Sequence, residues 1–128
     1  MTFKVLVVDD SKLARMAVAK ALQSLHPDWT RLEAANAEEA LAKIKADEPD
    51  IVLLDFNMPG KDGLTLAAEL RQLSPSVTVA VISANHQAEV ISRTEAAGAT
   101  FLSKPLTEQA LGSFLDATLA KRRPAGGQ

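Results

Sequence analysis

Ile51-Val52-Leu53-Leu54-Asp55-Phe56-Asn57-Met58-Pro59-Gly60 is the stretch that decides the fold. Four apolar residues, too few to cross a membrane and β-branched enough for a strand, run into a carboxylate and then a Pro-Gly turn. They form a buried strand that delivers Asp55 to its open end. An acid at the carboxyl end of such a strand sits where open α/β sheets bind their ligands. What Asp55 meets there depends on the neighbouring strands.

On the N-terminal side, Asn36 followed by Glu39 resembles a capping box and opens a helix with Ala37, Ala40, Leu41 and Ile44 as its inner stripe. Pro49 stops that helix. On the C-terminal side, a turn at Asp62-Gly63 leads into an amphipathic helix carrying Leu64, Leu66, Ala67, Leu70 and Leu73, closed by Ser74-Pro75. Val77 to Ile82 is the next buried strand, and it delivers Ser83. A less apolar helix over about 86–97 ends at Gly98, which suits the left-handed position past a helix end. Its line of Val90, Thr94 and Ala97 leaves Ile91 as a candidate partner-facing residue. Thr100 to Ser103 is a short last strand before Lys104-Pro105, and Thr107 with Glu108 opens a final helix carrying Ala110, Leu111, Phe114, Leu115 and Leu119.

The earliest part of the chain repeats the pattern. Val5 to Val8 is an apolar, β-branched strand ending in Asp9-Asp10, and Ser11 is placed to cap the helix Lys12 to Leu25. Helical spacing puts Leu13, Met16, Ala17, Ala21 and Leu25 inside and turns Lys12, Arg15 and Lys20 mostly away. After Pro27-Asp28, Arg31 to Ala34 is a weaker strand, placed at the sheet edge. Strand and helix thus alternate five times, and the strands other than Arg31 to Ala34 read as largely apolar. Such strands are buried on both faces, and right-handed crossovers close them into a doubly wound α/β sandwich with a parallel sheet.

The 128 residues, 47% hydrophobic, suffice for one domain over 1–121, with 122–128 a flexible tail around Pro124 and Gly126-Gly127. Formal charge is −2, and setting aside Lys121, Arg122 and Arg123 leaves 11 basic against 16 acidic residues. That excludes the positive field that steers proteins onto nucleic acid; the terminal basic trio suits a solvated helix end. With no cysteine there is no disulfide, thiolate metal site or thiol nucleophile. No signal peptide or membrane-length stretch is present, so a cytoplasmic protein is expected.

The strand ends collect the chemistry: Asp9-Asp10, Asp55, Ser83 and Lys104. In a parallel sheet those ends share one edge. Taken singly, each suits a cap, a turn or a solvated lysine; recurrence on one edge favours a site. Clustered carboxylates repel by roughly 4 kcal/mol per close pair at an effective dielectric of about 20. Oxygen ligands without His or Cys suit a hard cation, and Mg²⁺ takes one or two carboxylates beside waters and phosphate oxygens. An acid aimed at such an ion can attack phosphorus, with the metal and a lysine balancing charge.

Val7-Val8-Asp9-Asp10-Ser11, Leu54-Asp55-Phe56-Asn57-Met58-Pro59-Gly60-Lys61-Asp62-Gly63, Ser83-Ala84 and Lys104-Pro105-Leu106 resemble the receiver domain of two-component response regulators, in order and over nearly the whole chain. The resemblance implies a flavodoxin-like five-stranded sheet of order 2-1-3-4-5 with five helices. It makes Asp55 the phosphoacceptor for a sensor histidine kinase, a histidine phosphotransfer protein or a small phosphodonor. Asp9, Asp10, Asp55 and the Asn57 backbone carbonyl would hold Mg²⁺. Ser83 and Lys104 would contact phosphoryl oxygens, Lys104-Pro105 would be cis, and Phe101 would be the aromatic switch. Slow self-dephosphorylation is expected, influenced by Asn57 and Asn85. A downstream protein target and a monomer or weak dimer are further expectations.

Other residues have plainer roles. Phe101 also suits a core position, Phe56 and Met58 could shape access to Asp55, and Trp29 is expected to pack under the loop after the first helix. His26 and His86 are expected to be ordinary surface residues. An alternative is a haloacid-dehalogenase-type phosphatase, but that family places its nucleophile after the first strand and a second Asp two residues on, where Asn57 stands here. Another is a scaffold that acts without phosphorylation. The pattern suits a single-domain regulator, resembling chemotaxis regulators or phosphorelay intermediates, or a receiver cut from a longer protein.

Overall fold

The computed structural model describes residues 3–57, 62–84 and 87–122, the last by its backbone alone. Expectations for Met58 to Gly60, Asn85, His86, Arg123 and the tail fall outside them. Five strands and five helices alternate: β1 (Lys4–Val8), α1 (Lys12–Leu25), β2 (Thr30–Ala34), α2 (Ala37–Asp47), β3 (Ile51–Asp55), α3 (Gly63–Leu73), β4 (Thr78–Ser83), α4 (Ala88–Ala96), β5 (Thr100–Ser103) and α5 (Glu108–Arg122). The sheet is parallel, in the order β2-β1-β3-β4-β5, the flavodoxin-like arrangement expected. β2 is an edge strand, as anticipated.

The side-chain period of two divides each central strand between two cores. Leu6, Val8, Val52, Leu54, Val79 and Val81 face α2 and α3, where Ala40, Ile44, Leu66 and Leu70 close over them. Val5, Val7, Ile51, Leu53, Ala80 and Ile82 face α1 and α5, against Leu22, Leu111, Phe114 and Leu115. Each of the Val, Leu, Ile and Phe side chains among them contributes about 1.5–3 kcal/mol on burial. The exposed Lys43–Asp47 pair, at 4.0 Å, contributes only about 0.3–0.5 kcal/mol. Apolar layers, not surface charge, therefore hold the sheet.

Helix starts are written in side chains. Ser11 Oγ accepts from the Ala14 N–H at 3.2 Å, Asn36 Oδ1 from Glu39 at 2.8 Å, Asp62 Oδ1 from Thr65 at 2.8 Å, and Thr107 Oγ1 from Ala110 at 3.0 Å. Glu39 reaches back to the Ala35 N–H at 2.8 Å, completing a variant capping box. Gly98 takes φ +79° past the end of α4, as expected.

The inner face of α1 differs from the sequence expectation. Leu13 is 78% and Met16 53% exposed, and Ala17 is exposed too, whereas Leu22 is buried with Val18, Ala21 and Leu25 packed beside it. Apolar residues occupy most of this helix's circumference, so spacing alone leaves its rotation undetermined; the Ser11 cap and an inward-turned Arg15 select the phase. Leu73 and Ala110 are likewise exposed, at the end and first turn of their helices. His26 is not a plain surface residue. It stacks on Trp29 at 3.8 Å, and Trp29 in turn stacks on Phe3 at 5.0 Å, which buries the tryptophan as expected.

Gly63 joins fold to site. A Cβ there would lie 2.8 Å from both the Asp55 carbonyl oxygen and the Phe56 Cα, backbone atoms that cannot yield cheaply. Gly63→Ala should therefore lower the unfolding free energy by about 1–3 kcal/mol in urea denaturation and shift the amide resonance of Asp55.

Candidate functional site

Register determines what meets at the carboxyl edge. Val8 lies opposite Leu54, and Asp55 opposite Ile82, so Asp9 follows β1 at the level where Asp55 ends β3. Ser83, opposite Ser103, ends β4, and Lys104 follows β5. The Asp9 N–H continues the ladder onto the Ala34 carbonyl at 3.1 Å, and its Oδ1 accepts from the Ser11 N–H at 2.8 Å. The Lys104 N–H donates to the Ser83 carbonyl at 3.0 Å, and Lys104-Pro105 is cis.

Asp9, Asp10 and Asp55 each place one carboxylate oxygen within 4.8 Å of the others. Asp55 and Ser83 are buried, Asp9 is half-buried and Asp10 is exposed, so the cluster opens to solvent on one side. Lys104 Nζ approaches Asp55 Oδ1 to 2.6 Å, from a side chain 36% exposed. This is an ion contact. Oδ1 is buried and makes no hydrogen bond among the described residues. Burial pushes the Asp9 carboxyl above the usual aspartate range; the Ser11 amide opposes this, and the charge of Asp55 reinforces it.

Three carboxylates against one ammonium leave the pocket with excess negative charge. Its donors are all hard oxygens, and one buried oxygen is incompletely satisfied, so the residues fit a hard divalent cation. Asn57 is exposed two residues beyond Asp55. Phe101 is half-buried on β5, opposite Val81, and Pro105 is exposed. The geometry thus unites Asp9, Asp10, Asp55 and Lys104 directly and sets Ser83 on the adjoining strand end.

Sequence reasoning missed Arg15. Its side chain, expected to turn mostly away, is 15% exposed, and Nη1 donates to the Asp9 carbonyl at 2.6 Å. Its position five residues after Asp10 on a capped helix was the available signal. A cleft of about 520 Å³ also runs beside the pocket, lined by Asp9, Ala14, Ala17, Lys104, Pro105 and Leu106.

Residues 5–116 match the sequence profile of the response regulator receiver domain. The chain is 30% identical over 120 residues to the chemotaxis protein CheY of Bacillus subtilis, covering 93% of this chain and 99% of that protein. It is 35% identical over 109 residues to the nitrate/nitrite response regulator protein NarL of Escherichia coli, covering 84% of this chain and 50% of the other. A protein-glutamate methylesterase/protein-glutamine glutaminase of Geobacter sulfurreducens is 33% identical and covered to 28% of its length. The chain thus spans about a quarter to a half of these longer relatives. Vibrio cholerae CheY4 superposes with a TM-score of 0.84 at 30% identity, covering 93% of this chain and all of that one.

The raised pKa of Asp9 has a defined sign. The folded state holds this proton more tightly than the unfolded chain, so ionisation destabilises the fold; the penalty is absent below the unfolded value and grows as pH rises through the folded one. Asp9→Asn should stabilise the metal-free protein at neutral pH by about 1 kcal/mol, discounted for exposure. Urea unfolding in chelator should show this gain shrinking as pH falls into the carboxylate range.

Proposed function

The chain belongs to the response regulator receiver family, and on that premise we propose that Asp55 accepts a phosphoryl group from a phosphohistidine, with Mg²⁺ held by Asp9, Asp10, Asp55 and the Asn57 carbonyl. The observation carrying this is the buried Asp55 carboxylate, ringed by two further acids and met by Lys104 at 2.6 Å. A receiver is a phosphoacceptor signalling module rather than a conventional enzyme, and receivers work with histidine kinases. The donor is a sensor histidine kinase or a histidine phosphotransfer protein. The cytoplasm is the compartment proposed.

In the transfer, an Asp55 carboxylate oxygen attacks phosphorus, the P–O bond forms, and the P–N bond to imidazole breaks. The electron pair leaves on the histidine nitrogen. Mg²⁺ supplies charge neutralisation to phosphoryl oxygens when bound. Lys104 shifts from pairing with the carboxylate to pairing with a phosphoryl oxygen, and the Ser83 hydroxyl donates to another. Drawing Ser83 and Lys104 inward alters the ends of β4 and β5, where Phe101 changes its packing and a target reads the new face. The apolar cleft beside Asp9 and Lys104, together with Leu13 one turn from Ala17, suits an amphipathic helix of the phosphodonor protein carrying its histidine toward Asp55.

Intact protein incubated with Mg²⁺ and a small phosphodonor should gain the mass of one phosphoryl group, and Asp55→Asn should gain none. Lys104→Met should keep the acceptor yet lose the resonance changes at Phe101. Undiminished labelling of Asp55→Asn would refute this assignment.

A further inference from the structure

Arg15 sits on the first turns of α1, with its N–H on the Ser11 carbonyl at 3.0 Å. Its guanidinium spans two strands. Nη1 donates to the backbone carbonyl of Asp9 after β1 at 2.6 Å, and Nε donates to Glu33 Oε1 on β2 at 2.9 Å. The arginine side chain is 15% exposed and the glutamate 49%. Asp9 is consequently fixed at three atoms: its N–H on Ala34, its carbonyl on Arg15 and its Oδ1 on the Ser11 N–H.

The carbonyl of Asp9 and the N–H of Asp10 share one rigid peptide plane. Pinning that carbonyl sets the direction in which Asp10 leaves the strand, and so where its carboxylate stands relative to Asp55. The ion pair with Glu33 is too exposed to matter much for stability, at about 0–1 kcal/mol. Its effect is geometric: a planar fork held at both ends is stiffer than one held at one. A lysine could satisfy either acceptor, not both in this fixed geometry.

We propose that Arg15 is a positioning residue for the divalent-cation site, its guanidinium strung between the Asp9 carbonyl and Glu33 so that Asp9 and Asp10 are held where, with Asp55, they take up the ion. The inference rests on the cation-site reading above. It also has a distinctive sign. As a mere positive charge near three carboxylates, Arg15 would repel the cation, and its removal would tighten binding. As a strut, its removal loosens binding.

The test is a titration of the metal-free, unphosphorylated full chain with MgCl₂ at fixed pH and ionic strength, followed by the amide resonances of Asp9, Asp10 and Asp55. Arg15→Ala and Arg15→Lys should each raise the Mg²⁺ dissociation constant by about tenfold, the low end of what outer-shell partners contribute. Glu33→Ala, remote from the ion, should shift it in the same direction, and Glu33→Gln, which keeps an acceptor for Nε, should bind like wild type. Arg15→Lys retains charge and helix propensity, and it decides the matter should Arg15→Ala not fold. Unchanged or tighter Mg²⁺ binding in Arg15→Lys and Glu33→Ala overturns the inference while leaving the cation site standing. Wild-type protein that takes up no Mg²⁺ overturns both.

Discussion

Asp9, Asp10 and Asp55 hold carboxylate oxygens within 4.8 Å of one another, and that repulsion is what the rest of the molecule must withstand. With Asp10 exposed and Asp9 half-buried, solvent screens these charges, and each pair at this separation opposes folding by on the order of 1 kcal/mol. Lys104 pairs with Asp55 from a side chain about one-third exposed, and its charge also favours ionised Asp9, so it offsets part of the sum. The remainder falls on the two apolar layers. Leu6, Leu53, Leu54, Leu66, Leu70, Leu111 and Leu115 are fully buried, and a few of them suffice to outweigh the cluster. The site is thus strained in charge while its supports are not, which is the condition for a cation or a phosphoryl group to rebalance it without unfolding the sheet.

Placement of Asp55 depends on close backbone approach. Gly63 donates its N–H to the Phe56 carbonyl at 2.9 Å, and the Phe56 N–H donates to Ile82 at 2.9 Å, so the residue after Asp55 is tied both to α3 and to β4. The Asp62 cap orients the start of α3 against that loop. On the other side, the Lys104 N–H on the Ser83 carbonyl binds the ends of β4 and β5 together. The acidic pocket is therefore framed by main chain, and substitutions far from the carboxylates can move it.

The central fold was legible because its strands are apolar on both faces and end in polar residues. That pattern admits few arrangements: β1, β3 and β4 must be interior, and their carboxyl ends must share an edge. The acids, Ser83 and Lys104 followed from it. What escaped was rotation about helix axes. In α1, Leu13, Ala14, Met16, Ala17, Val18, Ala21 and Leu22 surround the helix, so period alone could not say which side faces the sheet. Arg15 escaped for the same reason, since a long cation at helical spacing ordinarily faces water. The Asp62 cap was missed because an Asp-Gly pair signals a turn as strongly as a helix start. The stack of His26 on Trp29 joins the end of α1 to the loop before β2, a contact with no sequence period.

The supports are uneven around the sheet, and this decides where a change at Asp55 would be felt. α1, α2 and α3 each begin with a side-chain cap, whereas Gln87 gives α4 no side-chain cap hydrogen bond. α4 buries only Val90 and Thr94, and β5 is a four-residue edge strand whose side chains are nowhere fully buried. Elements with little buried apolar surface open at low free energy. Both are tied to the site, β5 through the Ser83–Lys104 backbone bond and α4 through its packing on β5. A few kcal/mol released by rebalancing the carboxylates is too little to reshape the Leu-filled interior. It is comparable with what holds α4 and β5, so the site's charge state would be read out on that side of the molecule.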